Sequence, residues 1–146
     1  MTDTGISLLN PETTKIRTSP VLNRDTGSFG KQHLLDGDDT TCWNSEQGTP
    51  QWIALELEKP AKVHSLSLQF QGGFVGTPLQ ILGWAPGEEY EEVGTVHPQD
   101  VNSMQTWVLP LPRPTIRRMK LVFPESTDFY GRVTIYQFDL KGEWVE

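Results

Sequence analysis

Apolar and polar residues alternate in short segments along this chain, and such alternation is typical of β-strands that bury one face. In one of these segments, three large apolar residues recur at every second position and His64 shares their phase. Another segment is predicted to be an edge strand, because its Pro20 cannot donate to a β-ladder. The predicted strands are residues 13–22, 52–57, 63–70, 79–84, 90–96, 104–109, 116–123 and 133–140.

Turns separate these segments. Gly and Pro are abundant and evenly spread, and both residues are costly inside helices and useful at turns. Only residues 31–35 predict a helical turn. About eight short strands predict an all-β fold, a two-sheet sandwich of the jelly-roll type. The length of 146 residues predicts one domain, residues 1–146.

The stretch 32–52 holds an unusual concentration of acidic and aromatic residues. Residues 36–39 place three carboxylates around a glycine, which predicts a sharp turn because Asp caps its own backbone and Gly supplies a positive φ. Trp43 follows closely, and we expect it to fold back under the turn and be buried.

Charge and cysteine content limit the possible partners. The formal net charge of −7 repels phosphate backbones at long range, so we expect no direct nucleic-acid binding. A single cysteine, Cys42, allows no internal disulfide, and the N-terminal residues do not resemble a secretion signal. No segment is apolar enough for a membrane span. These features predict a protein of the nucleus or cytoplasm.

Catalytic residue patterns are missing from the sequence. The three histidines are scattered, and Cys42 lies between a turn threonine and a predicted core tryptophan, so no nucleophile has a neighbouring base. The acidic pairs at residues 88–89 and 91–92 are best explained as solvated charges. The acidic turn fails as an EF-hand, because Thr41 and Gln47 occupy its sixth and twelfth positions. We expect no enzyme activity.

Two blocks of the sequence resemble a known family. The strings LLDGDDTTCWNS and QWIALEL are similar to the Asp-Gly-Asp turn, tryptophans and strand of the discoidin, or coagulation-factor type C, domains of the galactose-binding-like fold. The string TDFYGRVTIYQFDLKGE resembles the closing strand of that fold. More narrowly, TTCWNSEQG and TDFYGRVTIY resemble a small intracellular family of nuclear-receptor-associated proteins, repressors of a testicular orphan receptor.

The resemblance implies a structural calcium site in the acidic turn. The ligands carried over from the family are Asp36, Asp38, Thr41 and Glu143. The alternative is that Asp36 and Thr41 cap backbone amides, which requires no metal. Cell interiors hold little free calcium, so no cofactor is the preferred expectation.

The narrow resemblance implies a non-catalytic, monomeric module that binds a nuclear receptor and represses transcription. The wider family implies two alternatives, a carbohydrate- or lipid-binding module and a scaffold subunit of a ciliary assembly. Relatives with this fold bind ligands through loops at one end of the sandwich, here residues 23–30, 44–50, 71–76 and 127–132. The predicted partner-binding residues are Arg24, Phe29, Gln71, Phe74, Asp128 and Tyr130.

Overall fold

The computed structural model describes residues 5–85, 89 and 91–145, and within them the chain forms nine antiparallel strands. The strands are β1 (Ile6–Ser7), β2 (Lys15–Thr18), β3 (Trp43–Asn44), β4 (Gln51–Phe70), β5 (Leu79–Trp84), β6 (Glu91–Val96), β7 (Gln105–Val108), β8 (Thr115–Phe123) and β9 (Thr134–Trp144). The α-helix α1 (Thr26–Phe29) and two 3₁₀ helices (Leu22–Arg24 and Lys31–Leu34) connect β2 to β3. The expected all-β fold is confirmed.

Strand β4 connects the two layers of the sandwich. Its first half pairs with β2 and β8, and its second half pairs with β7 and β9. Gln51 at its beginning is paired with Phe123, and the ring of Phe123 lies 6.0 Å from the ring of Phe70 at its end. Both ends of β4 therefore meet at one end of the sandwich, and the strand reverses direction between the layers near the exposed Glu58 and Lys59.

The remaining strands extend these two layers. One layer has the order β2–β4–β8–β5–β6, and the other contains β7, the second half of β4, and β9. The short strands β1 and β3 both pair with β9, at its two ends. The sequence prediction missed them, because two residues are too few to show a period.

The apolar phase of β4 changes within the second half of the strand. Odd-numbered positions are buried up to Ser65, except Lys59 at the reversal, whereas the even-numbered positions from Leu66 onward are buried. A register shift relative to β9 lies between Val63 and Ser65. The expectation that His64 shares the apolar phase was wrong, because this irregularity leaves its side chain half-buried.

The core lies between the two layers and includes the residues that the alternation predicted. Ile53, Leu68 and Leu121 have no exposed surface, and the rings of Phe70 and Phe123 meet edge to face at 85°. The predicted helical turn at residues 31–35 is the 3₁₀ helix Lys31–Leu34, which buries Leu34 against this core.

Candidate functional site: the loop end

Loops from both layers meet at the end of the sandwich where β4 begins and ends. The Gly48 amide donates to the Tyr130 carbonyl at 2.7 Å, which joins the loop before β4 to the loop before β9. Val75 and Thr127 exchange two hydrogen bonds of 3.0 and 2.8 Å, which join the loop after β4 to the same loop. We call this surface the loop end; it comprises residues 46–50, 71–76 and 126–132.

Two further segments border the loop end. The Gly72 amide donates to Asn102 at 2.7 Å, so residues 97–104 lie beside it. On the other side, Val21 forms a bridge with Ser45, and the Asn23 amide donates to Glu46 at 3.2 Å. Most of the loops that the sequence predicted to cluster are therefore neighbours in the structure.

An arginine lies between two aromatic rings at the centre of the loop end. The Arg132 guanidinium is 5.0 Å from the Phe74 ring and 5.7 Å from the Tyr130 ring, distances at which cation–π attraction operates. Tyr130 in turn meets the neighbouring Phe129 edge to face, with ring centroids 5.2 Å apart. We call Phe74, Phe129, Tyr130 and Arg132 the aromatic cluster.

Asp128 holds Arg132 in this position. Its carboxylate accepts from Arg132 Nε at 2.9 Å, from Nη2 at 3.3 Å and from the Arg132 amide at 3.1 Å. The hydrogen bonds from the Arg132 side chain hold the pKa of the Asp128 carboxyl below its usual range. Asp128 therefore positions the arginine between the rings.

The exposed side chains of the aromatic cluster are large. Phe129 is 92% exposed and Tyr130 is 56% exposed. Both residues lie in a turn, and both side chains face solvent. With almost all of its ring in water, Phe129 is the most exposed large apolar side chain among the described residues. The predicted loop 127–132 contains Phe129 and Arg132, but neither is among the six residues predicted to bind the partner.

A glycine pair makes the packing of two loops possible. Gly131 has φ = +84°, and a Cβ atom built on it would lie 2.8 Å from the backbone of Gly48. Both the backbone conformation and the contact exclude a side chain at this position. The loops carrying Gly48 and the aromatic cluster are thus fixed against one another.

The remaining predicted contact residues differ in availability. Arg24 is exposed and, together with Asn23, has a positive φ (57° and 55°), a strained conformation for non-glycine residues. Phe29 is half-buried and packs against the core, so only part of its ring is available for the predicted contact. Gln71 is half-buried, and its side chain accepts from the Tyr136 hydroxyl at 3.3 Å.

The acidic turn is held by hydrogen bonds among its own residues. The Asp36 carboxylate accepts from the Thr41 hydroxyl at 2.6 Å and from the Asp38 amide at 2.9 Å. Asp38 accepts from the amide and the hydroxyl of Thr40. Burial raises the pKa of Asp36, but these hydrogen bonds outweigh it and hold the pKa below its usual value. Asp36 thus caps a backbone amide, as the alternative predicted, whereas the Thr41 hydroxyl donates to Asp36 and to the Asp38 carbonyl and caps no amide in this turn.

Histidine connects this turn to α1. His33 Nδ1 lies 3.1 Å from Asp36 Oδ2, and Nε2 lies 3.0 Å from the Gly27 carbonyl oxygen. Both partners accept, so the doubly protonated imidazolium satisfies both, and the pKa of His33 is raised chiefly by the Gly27 carbonyl. The imidazole ring therefore already contacts one oxygen of the Asp36 carboxylate.

The fourth predicted calcium ligand is far from the turn. Trp43 lies opposite Ile135, so continuing that register places Thr41 level with Gln137. Glu143 lies six positions further along β9, about 20 Å at ~3.3 Å per residue, opposite Lys62. Over the described residues, no group of three His, Cys, Asp or Glu side chains could hold a metal ion. The four predicted calcium ligands therefore do not form one site, because Glu143 lies far from the other three.

None of the described helices has the length and apolar character needed to span a membrane.

Comparison with known proteins identifies the fold and the family. Residues 15–138 match the model of the F5/8 type C domain. A Homo sapiens protein named nuclear receptor 2C2-associated protein is 44% identical over 139 residues, which are 95% of this chain and 98% of the relative. The Danio rerio protein of the same name is 42% identical over 130 residues, 89% of this chain and 92% of the relative.

Solved structures agree with this fold. The F5/8 type C domain of a Bacteroides fragilis protein has a TM-score of 0.81 and 15% identity, covering 94% of this chain and 96% of that chain. The family 32 CBM of Clostridium perfringens NanJ, solved in complex with galactose, has a TM-score of 0.77 and 16% identity, covering 92% and 96%. The fold and the names of these relatives are those of binding modules. With the sequence matches covering nearly its whole length, this chain belongs to the F5/8 type C domain family and, within it, to the nuclear receptor 2C2-associated proteins.

Proposed function

We propose that this chain is a non-catalytic interaction module of the nucleus and cytoplasm that binds a nuclear receptor through its loop end and represses the receptor's transcriptional activity. The name shared by its relatives supports the choice of partner. The observation that carries the proposal is the exposed aromatic cluster on a rigid end of the sandwich.

The aromatic cluster has the composition of an interface centre. Tyr and Arg are enriched among the residues that contribute most to binding free energy, and Phe129 adds a large apolar surface that contact would remove from water. The Asp128–Arg132 pair and the Gly131–Gly48 contact already hold the loop that carries these side chains, so binding would cost little additional ordering of its backbone. We therefore assign partner binding to Phe129 and Tyr130.

The experiment measures binding of the purified chain to nuclear receptor 2C2. The double variant Phe129→Ser and Tyr130→Ser should lose about tenfold or more in affinity, the scale of two removed contact residues. Val108→Ser with Leu111→Ser is the matched control, because these apolar residues are 64% and 78% exposed elsewhere on the molecule. Equal affinity of the loop-end variant and the control would refute binding at the loop end.

Repression is measured separately. In cells with a receptor-dependent reporter, the native chain should lower transcription and the loop-end variant should not. A variant that still represses, although it no longer binds the receptor, would separate the two activities and contradict the proposal.

Carbohydrate binding is a second candidate, and one observation favours it. The Phe129 ring is 92% exposed at the loop end, and aromatic rings provide flat apolar surfaces for sugar rings. Against it, the Asp128 and Arg132 side chains satisfy each other and leave few polar groups to orient hydroxyls. Titration with galactose tests this candidate. Saturable binding that the loop-end variant loses would support it.

A further inference from the structure

The outer surface of the β2–β4–β8–β5 layer carries a concentration of positive charge. Residues directly opposite each other in antiparallel strands point to the same face. Lys15 is opposite Glu56, and Glu56 is opposite Arg118. In the same way, Arg17 and Lys120 lie opposite Ala54, the next outward-facing residue of β4, on its two sides. Four cations from β2 and β8 therefore flank β4 on one surface.

The 3₁₀ helix Lys31–Leu34 contributes a fifth cation to this surface. Lys31 and Arg17 line two adjoining clefts of about 650 and 440 Å³. We call the five residues the basic face; they are Lys15, Arg17, Lys31, Arg118 and Lys120.

The clefts combine this charge with an apolar floor. The first cleft is lined by aliphatic and aromatic side chains as well as by cations; its apolar members are Pro11, Ile16, Leu35, Ala54, Leu55 and Trp84. The second cleft reaches Trp52, and the Lys120 ammonium lies 4.9 Å from that ring. A ligand here would meet positive charge at the rim and apolar surface below.

The positive charge of the basic face is little compensated within the described residues. Glu56 is the one acidic residue in the described part of the chain that lines the clefts. Its carboxylate lies 3.5 Å from Arg118 Nε and 3.6 Å from Arg117 Nη2 and is shared between them. The whole chain meanwhile carries a net charge of −7. A chain with an excess of acids that places five of its 12 Lys and Arg residues on one surface is electrostatically complementary to an acidic ligand at that surface.

We propose that the basic face binds a short acidic segment of a partner protein, with carboxylates on the cations and apolar side chains on the cleft floor. The distance across the four strands is about 14 Å, three spacings of ~4.8 Å, which four to five residues of extended peptide cover. This surface is distinct from the loop end, so the inference goes beyond the proposed function.

A nucleic acid fits this surface less well. The net charge of −7 repels a long polyanion, whereas a short peptide interacts within about one Debye length of ~10 Å. Single-stranded nucleic acids also bind by stacking bases on aromatic rings. Here Lys120 already lies over the Trp52 ring. The observations therefore favour a protein segment.

The test uses a labelled peptide of repeating Glu-Asp-Leu and measures fluorescence anisotropy with the full chain. The variant Arg17→Glu with Lys31→Glu should weaken binding about tenfold or more, because both side chains are exposed and line both clefts. Lys62→Glu with Lys141→Glu is the matched control, since it changes the net charge equally at exposed positions of the other layer. The control should weaken binding by no more than about twofold.

A variant that gains affinity provides a second test, because a misfolded protein would lose binding. Glu56→Gln removes the acid from the cleft lining and should tighten peptide binding about threefold, through relief of like-charge repulsion. The loop-end variant Phe129→Ser with Tyr130→Ser should bind the peptide unchanged. Equal losses in the basic-face variant and its control, weaker binding by Glu56→Gln, or tighter binding of single-stranded DNA than of the peptide would each overturn the proposal.

Discussion

Replacement of Trp43 tests the packing under the acidic turn. The side chain has no exposed surface, so Trp43→Ala removes a large buried ring and should cost roughly 3–5 kcal/mol of the free energy of unfolding. For a domain of this size each kcal/mol corresponds to about 2–4 °C, which gives a fall in Tm of roughly 6–20 °C. The sequence prediction that this residue is buried is confirmed.

The indole nitrogen separates two contributions at this position. Trp43 Nε1 is buried, and no acceptor among the described residues reaches it. An unpaired buried donor costs ~1–3 kcal/mol. Trp43→Phe deletes that donor while losing roughly 1–2 kcal/mol of packing, so its net effect should lie within about 1 kcal/mol of the native chain. The two substitutions should therefore differ by at least about 2 kcal/mol.

The assay is equilibrium urea unfolding followed by far-UV circular dichroism, because four other tryptophans would complicate fluorescence. Both variants should retain the native slope with denaturant, which shows that only stability has changed. A loss below about 1 kcal/mol for Trp43→Ala would refute the argument from burial. A loss for Trp43→Phe as large as that for Trp43→Ala would show that Nε1 has a stabilising partner.

Three shorter predictions concern the turn and the loop end. Folding raises the pKa of His33, so the stability that its protonated ring contributes is complete below the ordinary pKa of 6.5 and is lost as pH rises through the pKa of the folded state. His33→Gln should remove this pH dependence of the urea midpoint. Melting curves in excess calcium and in chelator should coincide, because Asp36 already accepts from its neighbours; a higher Tm in calcium that Asp36→Asn abolishes would contradict this. Gly131→Ala should lower Tm by several degrees and weaken receptor binding, because its φ is +84° and its Cβ would meet Gly48; an unchanged Tm would contradict the rigid loop contact.

The alternation of apolar residues predicted most of the fold because each long strand buries one face. It failed where local geometry interrupts the period, as at His64, and where strands are too short to repeat, as in Trp43–Asn44. It divided β4 into two strands, since the exposed Glu58 and Lys59 have the composition of a turn. The chain does reverse there, and the backbone continues as one strand while it does so.

The candidate sites were less predictable, because they depend on register and on contacts distant in sequence. The loops of the loop end could be named from the resemblance, but the position of Arg132 between two rings follows from its pairing with Asp128. The basic face is even harder to predict from the sequence. Arg17 and Lys120 belong to one surface only because β4 runs between them, which depends on strand register.

The sharing of β4 between both layers has a consequence for how the molecule opens. Neither layer can separate from the other without losing hydrogen bonds of the same strand, so the core amides of both layers should exchange with solvent in one cooperative unfolding event. Hydrogen exchange should accordingly give the same opening free energy for Leu55 in one layer and Leu68 in the other. A substitution that destabilises either binding surface would then lower the protection of both by the same amount.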